Sequence, residues 1–533
     1  MSSFADGGAP PRPSTAPPPP PVPEGSPPPM NMWLPPLTEF RFEVPPDGSA
    51  SLTLTDGTAE VGGVELPRGV LTPFTGGPGG RNVAAFTWHG AWLSVAAPDP
   101  DELLAYTAED TPMPVYLNLH SVLEHARSAA ATTGGAGGIG NGGGGGEAGP
   151  IVAVVGGADV GKSTLAGLLT AWCVKSHGVA VAVEADPGEV AAPFAGMVGG
   201  VGISVVRHVD VAAGGVLHEK PLAWSYGSPG VGSSGGGGAT AGGGGGGAGG
   251  GGATGDGLSG GGDGGGGGGG GSGAVGAASG GDRGHLVHLA GVMGNVLRQV
   301  LPSLGGVGAI VNTSSDVDGA DAVASLAELC AALGVGVVVV VGGERLAAAL
   351  RRALKASATT AAAPAGAAIT PTGVAPSTTE VTVVAVPKSG GVVSRGAPAR
   401  RKALAARVRE YFYGTAGNLC PFTIVAEWAD VTFVWVDGAR RLPDSLLPAG
   451  EASTLERVGV REVDLALGGG GVVHAVCGVS QATALSDVLS SPVWGWAHVA
   501  KVDSEKRTVT LLAPSAGRLP GRYLLVGGIK WLE

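Results

Sequence analysis

The stretch IVAVVGGADVGKSTLAGLLTAWC, from Ile151 to Cys173, leaves little choice of local fold. Five apolar, mostly β-branched residues make a buried strand, a glycine loop turns the chain, and a leucine- and alanine-rich run after Lys162 makes a helix. Gly156 followed four residues later by Gly161-Lys162-Ser163 is the Walker A spacing. In such a loop the backbone N–H groups converge on phosphate at the positive end of the following helix. Lys162 then reaches the β/γ-phosphates of a nucleoside triphosphate, and the Ser163 hydroxyl ligates Mg²⁺. Nucleotide contacts are therefore expected from Gly156 and from Asp159, Val160, Gly161, Lys162, Ser163 and Thr164. Glycine supplies 101 of the 533 residues, so a glycine loop by itself carries little weight. Its place between a strand pattern and a helix pattern is the context the motif demands.

Around this unit the pattern changes twice. Residues 1–36 are proline-rich and are expected to form a disordered, polyproline-like tail. In 37–132 short alternating runs (EFRFEV, SLTLTDG, AEVGGVEL, NVAAFTWHGAWLSVAA) predict a small β-sandwich or barrel, followed by a short helix in LNLHSVLEHARSAAA. A glycine linker, 133–149, leads into 150–422. There, strands at Ile151–Val155, Val179–Glu184, Gly308–Asn312 and Val335–Val341 alternate with helices, two of them at 320–333 and 344–355. That alternation predicts an α/β P-loop domain with a mostly parallel sheet and helices on both faces. Two low-complexity insertions interrupt it, the almost pure glycine of 230–282 and the Ala/Thr/Pro-rich 356–379. Neither carries enough apolar surface to offset its ordering entropy, so both are expected as surface loops. Short strands return in 423–533 and predict a second small β domain.

Composition excludes several classes. A net charge of −11 argues against gripping long nucleic acid by bulk electrostatics, leaving only local basic patches for that purpose. Cys173, Cys330, Cys420 and Cys477 are scattered without a CxxC pair and read as reduced thiols, not a zinc site or disulfide framework. The N-terminus lacks the charged and apolar regions of a secretory signal. The longest apolar run, Leu333 to Gly343, is too short to span a bilayer, so a soluble intracellular protein with no membrane partner is expected.

Further motifs follow in order: TEFRFEV and AAFTWHGAW before the Walker loop, then VEADPGE, PLAWSYGSPG, VPKSGGVV and RVREYFYG after it. Together, over about Thr38 to Glu533, they resemble the eukaryotic Clp-type polyribonucleotide 5′-hydroxyl-kinase family, whose members serve pre-mRNA cleavage and polyadenylation. The resemblance implies ATP with Mg²⁺, transfer of the γ-phosphate to an RNA 5′-hydroxyl end, and a place in the nucleus. It implies partners among the cleavage-factor subunits and the tRNA-splicing endonuclease. Glu39 and a basic residue, Arg81 or Asn82 at the family register, would contact the nucleotide base. Arg395 and Arg400 match an arginine-bearing lid, whose guanidinium forks suit phosphate oxygens. Arg407 reads as part of a solvated helix face. Lys162, Asp186, Arg395 and Arg400 form the expected catalytic set.

Asp186 also stands out from position alone. It follows a strand at the sheet edge where ligands bind in doubly wound folds, and could serve as base or as a Mg²⁺ ligand with Ser163. The plain alternative is a turn aspartate before Pro187-Gly188.

Three departures from the family pattern concern the acceptor. Glu189 replaces a glutamine, Asp316 replaces a tryptophan on which kinase-active members stack a base, and Ser228-Pro229 is all that remains of Ser-Thr-Thr-Pro. They set a second expectation beside the kinase: a catalytically weak or inactive ATP-bound scaffold of the same complex. A regulatory GTPase would need a guanine-reading Asn-Lys-x-Asp, which is missing from the sequence.

Overall fold

The computed structural model describes residues 29–77, 80–99, 103–133, 148–189, 197–212, 215–228, 230–231, 283–361, 381–414, 417–437, 459–467 and 471–532. Nearly all of the glycine insertion, the linker and the start of the proline-rich tail lie outside them.

Alternation in TEFRFEV and its neighbours builds two facing sheets. One has four strands in the order Met30–Leu34, Ala91–Ala96, Ser49–Gly57, Leu71–Thr75. The other has five, in the order Val64–Glu65, Glu60–Val61, Arg81–Thr87, Thr38–Val44, Leu104–Ala108. Leu52, Leu93, Phe40, Phe42 and Phe74 are buried in the core of this β-sandwich. The strand Met30–Leu34 corrects the tail expected over 1–36: Leu34 is fully buried and the strand pairs with Ala91–Ala96, because its apolar MNMWL outweighs the flanking prolines.

The central sheet has seven strands, ordered Gly215–Ser225, Gly200–Asp210, Ala180–Ala185, Ala309–Thr313, Ile151–Val155, Val337–Val341, Thr382–Val386. The last five run parallel, whereas the first two form an antiparallel hairpin on one edge. Period-two side chains divide between the two faces. Val152 and Val154 pack under the helices Lys162–His177 and Met113–Thr133, while Ala153 and Val155 pack against Arg283–Val300, Ala320–Leu333 and Glu344–Ala361. Helices therefore cover both faces, as the strand–helix alternation requires. The helix Glu344–Ala361 runs past Ala356, the expected start of the second insertion, because its alanines are good helix formers.

The first β domain shares a core with the central one. Phe86 and Met113, Tyr116 and Leu123 of the connecting helix bury against Leu165, Leu169 and Trp172 of the Walker helix. Buried Glu60 ties the two, accepting from Trp88 Nε1 at 3.0 Å and from Trp172 Nε1 at 3.1 Å.

A third sheet of seven strands forms the second β domain, ordered Phe422–Glu427, Thr508–Ala513, Val493–Asp503, Ala475–Ser480, Tyr523–Lys530, Thr432–Asp437, Gly459–Glu462. It packs on the antiparallel hairpin of the central sheet, where Trp224 Nε1 donates to the Ser490 carbonyl at 3.1 Å. The helix Ala397–Tyr413 enters this domain by its C-terminal end. Phe412 stacks flat on Trp531 (centroids 5.7 Å apart, planes 10° apart), and the Tyr411 hydroxyl accepts from the Trp496 backbone N–H at 2.9 Å. Arg407 on this helix is buried and paired with Glu410, correcting the solvated face expected for it: the helix lies on the molecule, not out in solvent.

Candidate functional site: a phosphate loop under an arginine lid

The strand Ile151–Val155 delivers the chain to a loop of special backbone. Asp159 and Gly161 have φ of 53° and 91°, and a side chain on Gly156 would press Val160 and the Val341 carbonyl. The loop then enters the helix Lys162–His177. Its first-turn N–H groups have no intrahelical partner, which is the chemistry of an anion cradle. Thr164 lies exposed on that first turn, and Val160 packs inward on the sheet core. Lys162 is buried and donates from Nζ to the Gly157 carbonyl at 2.9 Å, so its charge stays inside the loop. Burial lowers its pKa, opposed by Asp186, Glu189, Glu184 and Asp159.

Three parallel strands end side by side here. Asn312 lies beside Val154 on one flank and Glu184 on the other, with Asp186 and the Walker loop just beyond. Asn312 Nδ2 donates to both oxygens of Glu184 at 3.0 Å and to Ser163 Oγ at 3.2 Å. Ser163 Oγ in turn donates to the Glu189 carboxylate. Asp186 closes a turn by accepting from the Gly188 N–H at 3.0 Å, and its own N–H donates to Glu184 at 2.8 Å. The turn reading and the site reading of Asp186 are thus compatible: the turn aims the carboxylate. Burial raises Glu184 well above its ordinary value, aided by the Glu189 and Asp186 charges and opposed by its hydrogen bonds from Asn312 and the Asp186 N–H. Burial and the Glu189 charge push Asp186 up to about 6, against the pull of Lys162.

Ser163, Asp186 and Glu189 offer a hydroxyl and two carboxylates, a donor set suited to a hard cation. Among the described residues no three His, Cys, Asp or Glu side chains are arranged to hold a metal unaided. Mg²⁺ is ordinarily shared between one or two carboxylates and phosphate oxygens, and Asp186 and Glu189 supply the carboxylates. Glu189, the glutamate in place of the family's glutamine, stands at the Ser163 hydroxyl, where a cation would compensate its charge. Asn312 Oδ1 is buried without a hydrogen-bond partner beside this set.

The turn after Val386 forms the roof. Val392 lies over Gly161, and the Asp159 carboxylate accepts from the Arg395 backbone N–H at 2.9 Å and from Arg400 Nη2 at 2.7 Å. The structure therefore brings both lid residues to the Walker loop. Arg400 does so by its side chain and Arg395 by its backbone, its side chain being exposed.

The base-reading residues divide. Glu39 is buried, with one oxygen taken by Arg41 Nε at 2.7 Å and the other by the Thr111 hydroxyl. Arg41, missed in the sequence, lies against Gly390 and Gly391 and carries the lid turn; its alternation with Glu39 on one strand was the available signal. Arg81 and Asn82 pair with Val44 and Glu43, while Glu39 pairs with Phe86, so they are about four residues, roughly 13 Å, along the strands from Glu39. Arg81 donates to the Ala212 carbonyl at 2.7 Å and lies over Phe74, and Asn82 is exposed. The structure does not bring either of them to Glu39, because the antiparallel register sets them at the far end of the strand pair.

Asp186→Asn gives a test of this electrostatic arrangement. A folded pKa above the unfolded value means the free protein loses stability as pH rises from about 4 to about 6. The amide should remove that loss, stabilising the nucleotide-free chain by about 3 kcal/mol at pH 7, or about 3–4 °C, and not at pH 4. Equal melting temperatures for both proteins at pH 7 would contradict the raised pKa.

Residues 33–130 match the N-terminal β-sandwich domain of polyadenylation factor, and residues 419–533 match the family of the pre-mRNA cleavage complex II protein Clp1. A polyribonucleotide 5′-hydroxyl-kinase Clp1 from Bos taurus is 31% identical over 500 residues, covering 93% of this chain and 95% of that one. An Arabidopsis thaliana Clp1 homologue is 28% identical over 506 residues, covering 93% of each. In fold, the chain is similar to Clp1p as solved together with Pcf11p, with a TM-score of 0.65, 17% identity, and coverage of 95% of this chain and 99% of that one. With a relative above 30% identity along nearly the whole length and two matching family models in order along it, the chain belongs to the Clp1 family.

Proposed function

We propose that this chain is an ATP-dependent polyribonucleotide 5′-hydroxyl-kinase. The observation that carries the reading is the meeting of a buried Lys162, a raised Asp186 and the Arg400 lid at one sheet edge. The Walker loop and Lys162 hold the triphosphate of ATP, with the adenine toward the strand of Glu39 and Arg41. Ser163, Asp186 and Glu189 are the residues that would hold Mg²⁺, which when bound neutralises phosphate charge. Asp186, through a carboxylate oxygen not engaged by the cation, takes the proton from the RNA 5′-hydroxyl as that hydroxyl's oxygen bonds to the γ-phosphorus and the bond to ADP breaks. Arg400, released from Asp159, neutralises the transferring group.

The family model is named for the pre-mRNA cleavage complex and one neighbour was solved with Pcf11p, which supports a role in such a complex. A place in the nucleus and the tRNA-splicing endonuclease as a further partner complete the proposal and rest on the sequence resemblance alone. Incubation with γ-labelled ATP and 5′-hydroxyl RNA should label the RNA, whereas 5′-phosphorylated RNA should stay unlabelled. Full retention of ATP with no labelled RNA would favour the catalytically inactive scaffold.

A further inference from the structure

We infer that Arg283, held by Asp316, is a binding site for the first internucleotide phosphate of the acceptor RNA, and so sets the preference for a polynucleotide over a nucleoside. This rests on the kinase reading above.

Placement comes from the sheet order. The strand Ala309–Thr313 lies between Ala180–Ala185, which ends at Asp186, and Ile151–Val155, which ends at the Walker loop. Whatever receives phosphate between Lys162 and Asp186 must therefore pass the segment following Thr313. Asp316 is in that segment, three residues past Thr313, and it is not a bare acid. Arg283 grips it with both edges of a fork, Nε to Oδ2 at 2.5 Å and Nη2 to Oδ1 at 3.0 Å. The first turn of the helix that carries Arg283 is fixed in turn by His285, which stacks on buried Tyr226 with centroids 5.4 Å apart and planes 15° apart. Tyr226 immediately follows the edge strand Gly215–Ser225.

A guanidinium so anchored has one edge committed and its plane fixed, and the Nη1 edge points away from Asp316. It is partly open, with 31% of the side chain exposed. A planar donor pre-aimed in this way suits a phosphate oxygen better than a mobile lysine would. Charge supplies a second reason. The chain carries a net −11, and Glu184, Asp186 and Glu189 line the same edge. A polyanion approaching it needs a guanidinium donor near the segment after Thr313, and Arg283 carries one there, its charge shared with Asp316 and within reach of Asp321. The 5′-oxygen and the first phosphodiester belong to the same nucleotide, so a contact there locates the acceptor oxygen as well as binding the chain. Asp316 is then a positioning residue for Arg283, and the acidic replacement contributes to RNA binding.

The test uses the full chain with ATP and Mg²⁺ and two 5′-hydroxyl hexaribonucleotides, one natural and one with a neutral methylphosphonate at the first linkage. Loss of a charge-assisted hydrogen bond should lower kcat/KM for the neutral hexamer by about 10- to 100-fold in the unmodified protein. In Arg283→Ala the two hexamers should be used alike, and Arg283→Lys should restore only part of the preference. A pair that only stapled helix to loop would affect both hexamers equally. If Arg283→Ala discriminates as the unmodified chain does, or the unmodified chain does not discriminate, the assignment of Arg283 is overturned. If no acceptor is phosphorylated, the kinase reading fails, and the Arg283 site is decided by fluorescence anisotropy of the same hexamers on the ATP-loaded chain. A charge preference in binding that is lost in Arg283→Ala upholds the site, and its absence overturns it.

Discussion

Lys162→Ala should abolish phosphoryl transfer, with a fall of at least about 10³-fold, and should lower the stability of the free protein at pH 7. The ammonium is buried, surrounded by Asp186, Glu189, Glu184 and Asp159, and bonded only to its own loop at Gly157. With nucleotide present it is the cation closest to the β/γ-phosphates, so its removal leaves their charge to the loop N–H groups alone. Burial works against this charge in the free chain, but without it the neighbouring carboxylates lose their cation, which costs stability at neutral pH. The same change removes the group that holds Asp186 down, so Asp186 should titrate still higher. Steady-state transfer and melting temperature, measured on one preparation, check both halves. Transfer within tenfold of the unmodified chain would rule out Lys162 as the phosphate cation.

The second large effect lies far from the phosphates. Phe412→Ala should destabilise the protein by about 3–5 kcal/mol, because it opens a cavity beneath a fully buried ring. It should also slow transfer. Phe412 and Tyr411 bind one end of the helix Ala397–Tyr413 to Trp531 and Trp496 of the second β domain, and Arg400 stands twelve residues, roughly 18 Å, up the same helix at Asp159. The lid is thus set by a domain that contributes no residue to the phosphate loop. Phe412→Leu should recover about half of the lost stability, since most of the volume returns. If Phe412→Ala melts like the unmodified chain, the lid helix is not anchored where the structure shows it.

How much of this was legible before the structure varied with the kind of signal. The Walker unit was readable because strand, loop and helix must each be present in a fixed order, and Ile151–Val155 and Ala320–Leu333 appear where expected. The hairpin Gly200–Asp210 and Gly215–Ser225 escaped notice. It packs against the second β domain and crosses the sheet edge, so its GVGISVVRHVD and GVLHEKPLAWS lack clean alternation. Thr382–Val386 was missed because it is an edge strand with an exposed side. At the site, Lys162, Ser163 and Asp186 were readable from local chemistry, and Arg400 through the family resemblance. Glu184, Asn312 and Arg41 were not, since each matters only through a partner distant in sequence: Glu184 and Asn312 for each other, and Arg41 for the turn at Ser389. The pairing of Asp316 with Arg283 was hidden for the same reason, the two lying thirty-three residues apart.

The most direct measurement is a calorimetric titration of the nucleotide-free full chain with Mg·ATP and, separately, with Mg·GTP. Binding of one ATP per chain, at least about tenfold tighter than GTP and lost in Lys162→Ala, is the result expected of a triphosphate held between the Walker loop, the Arg400 lid and the strand of Glu39 and Arg41. Equal affinity for the two nucleotides, or none for either, would contradict it.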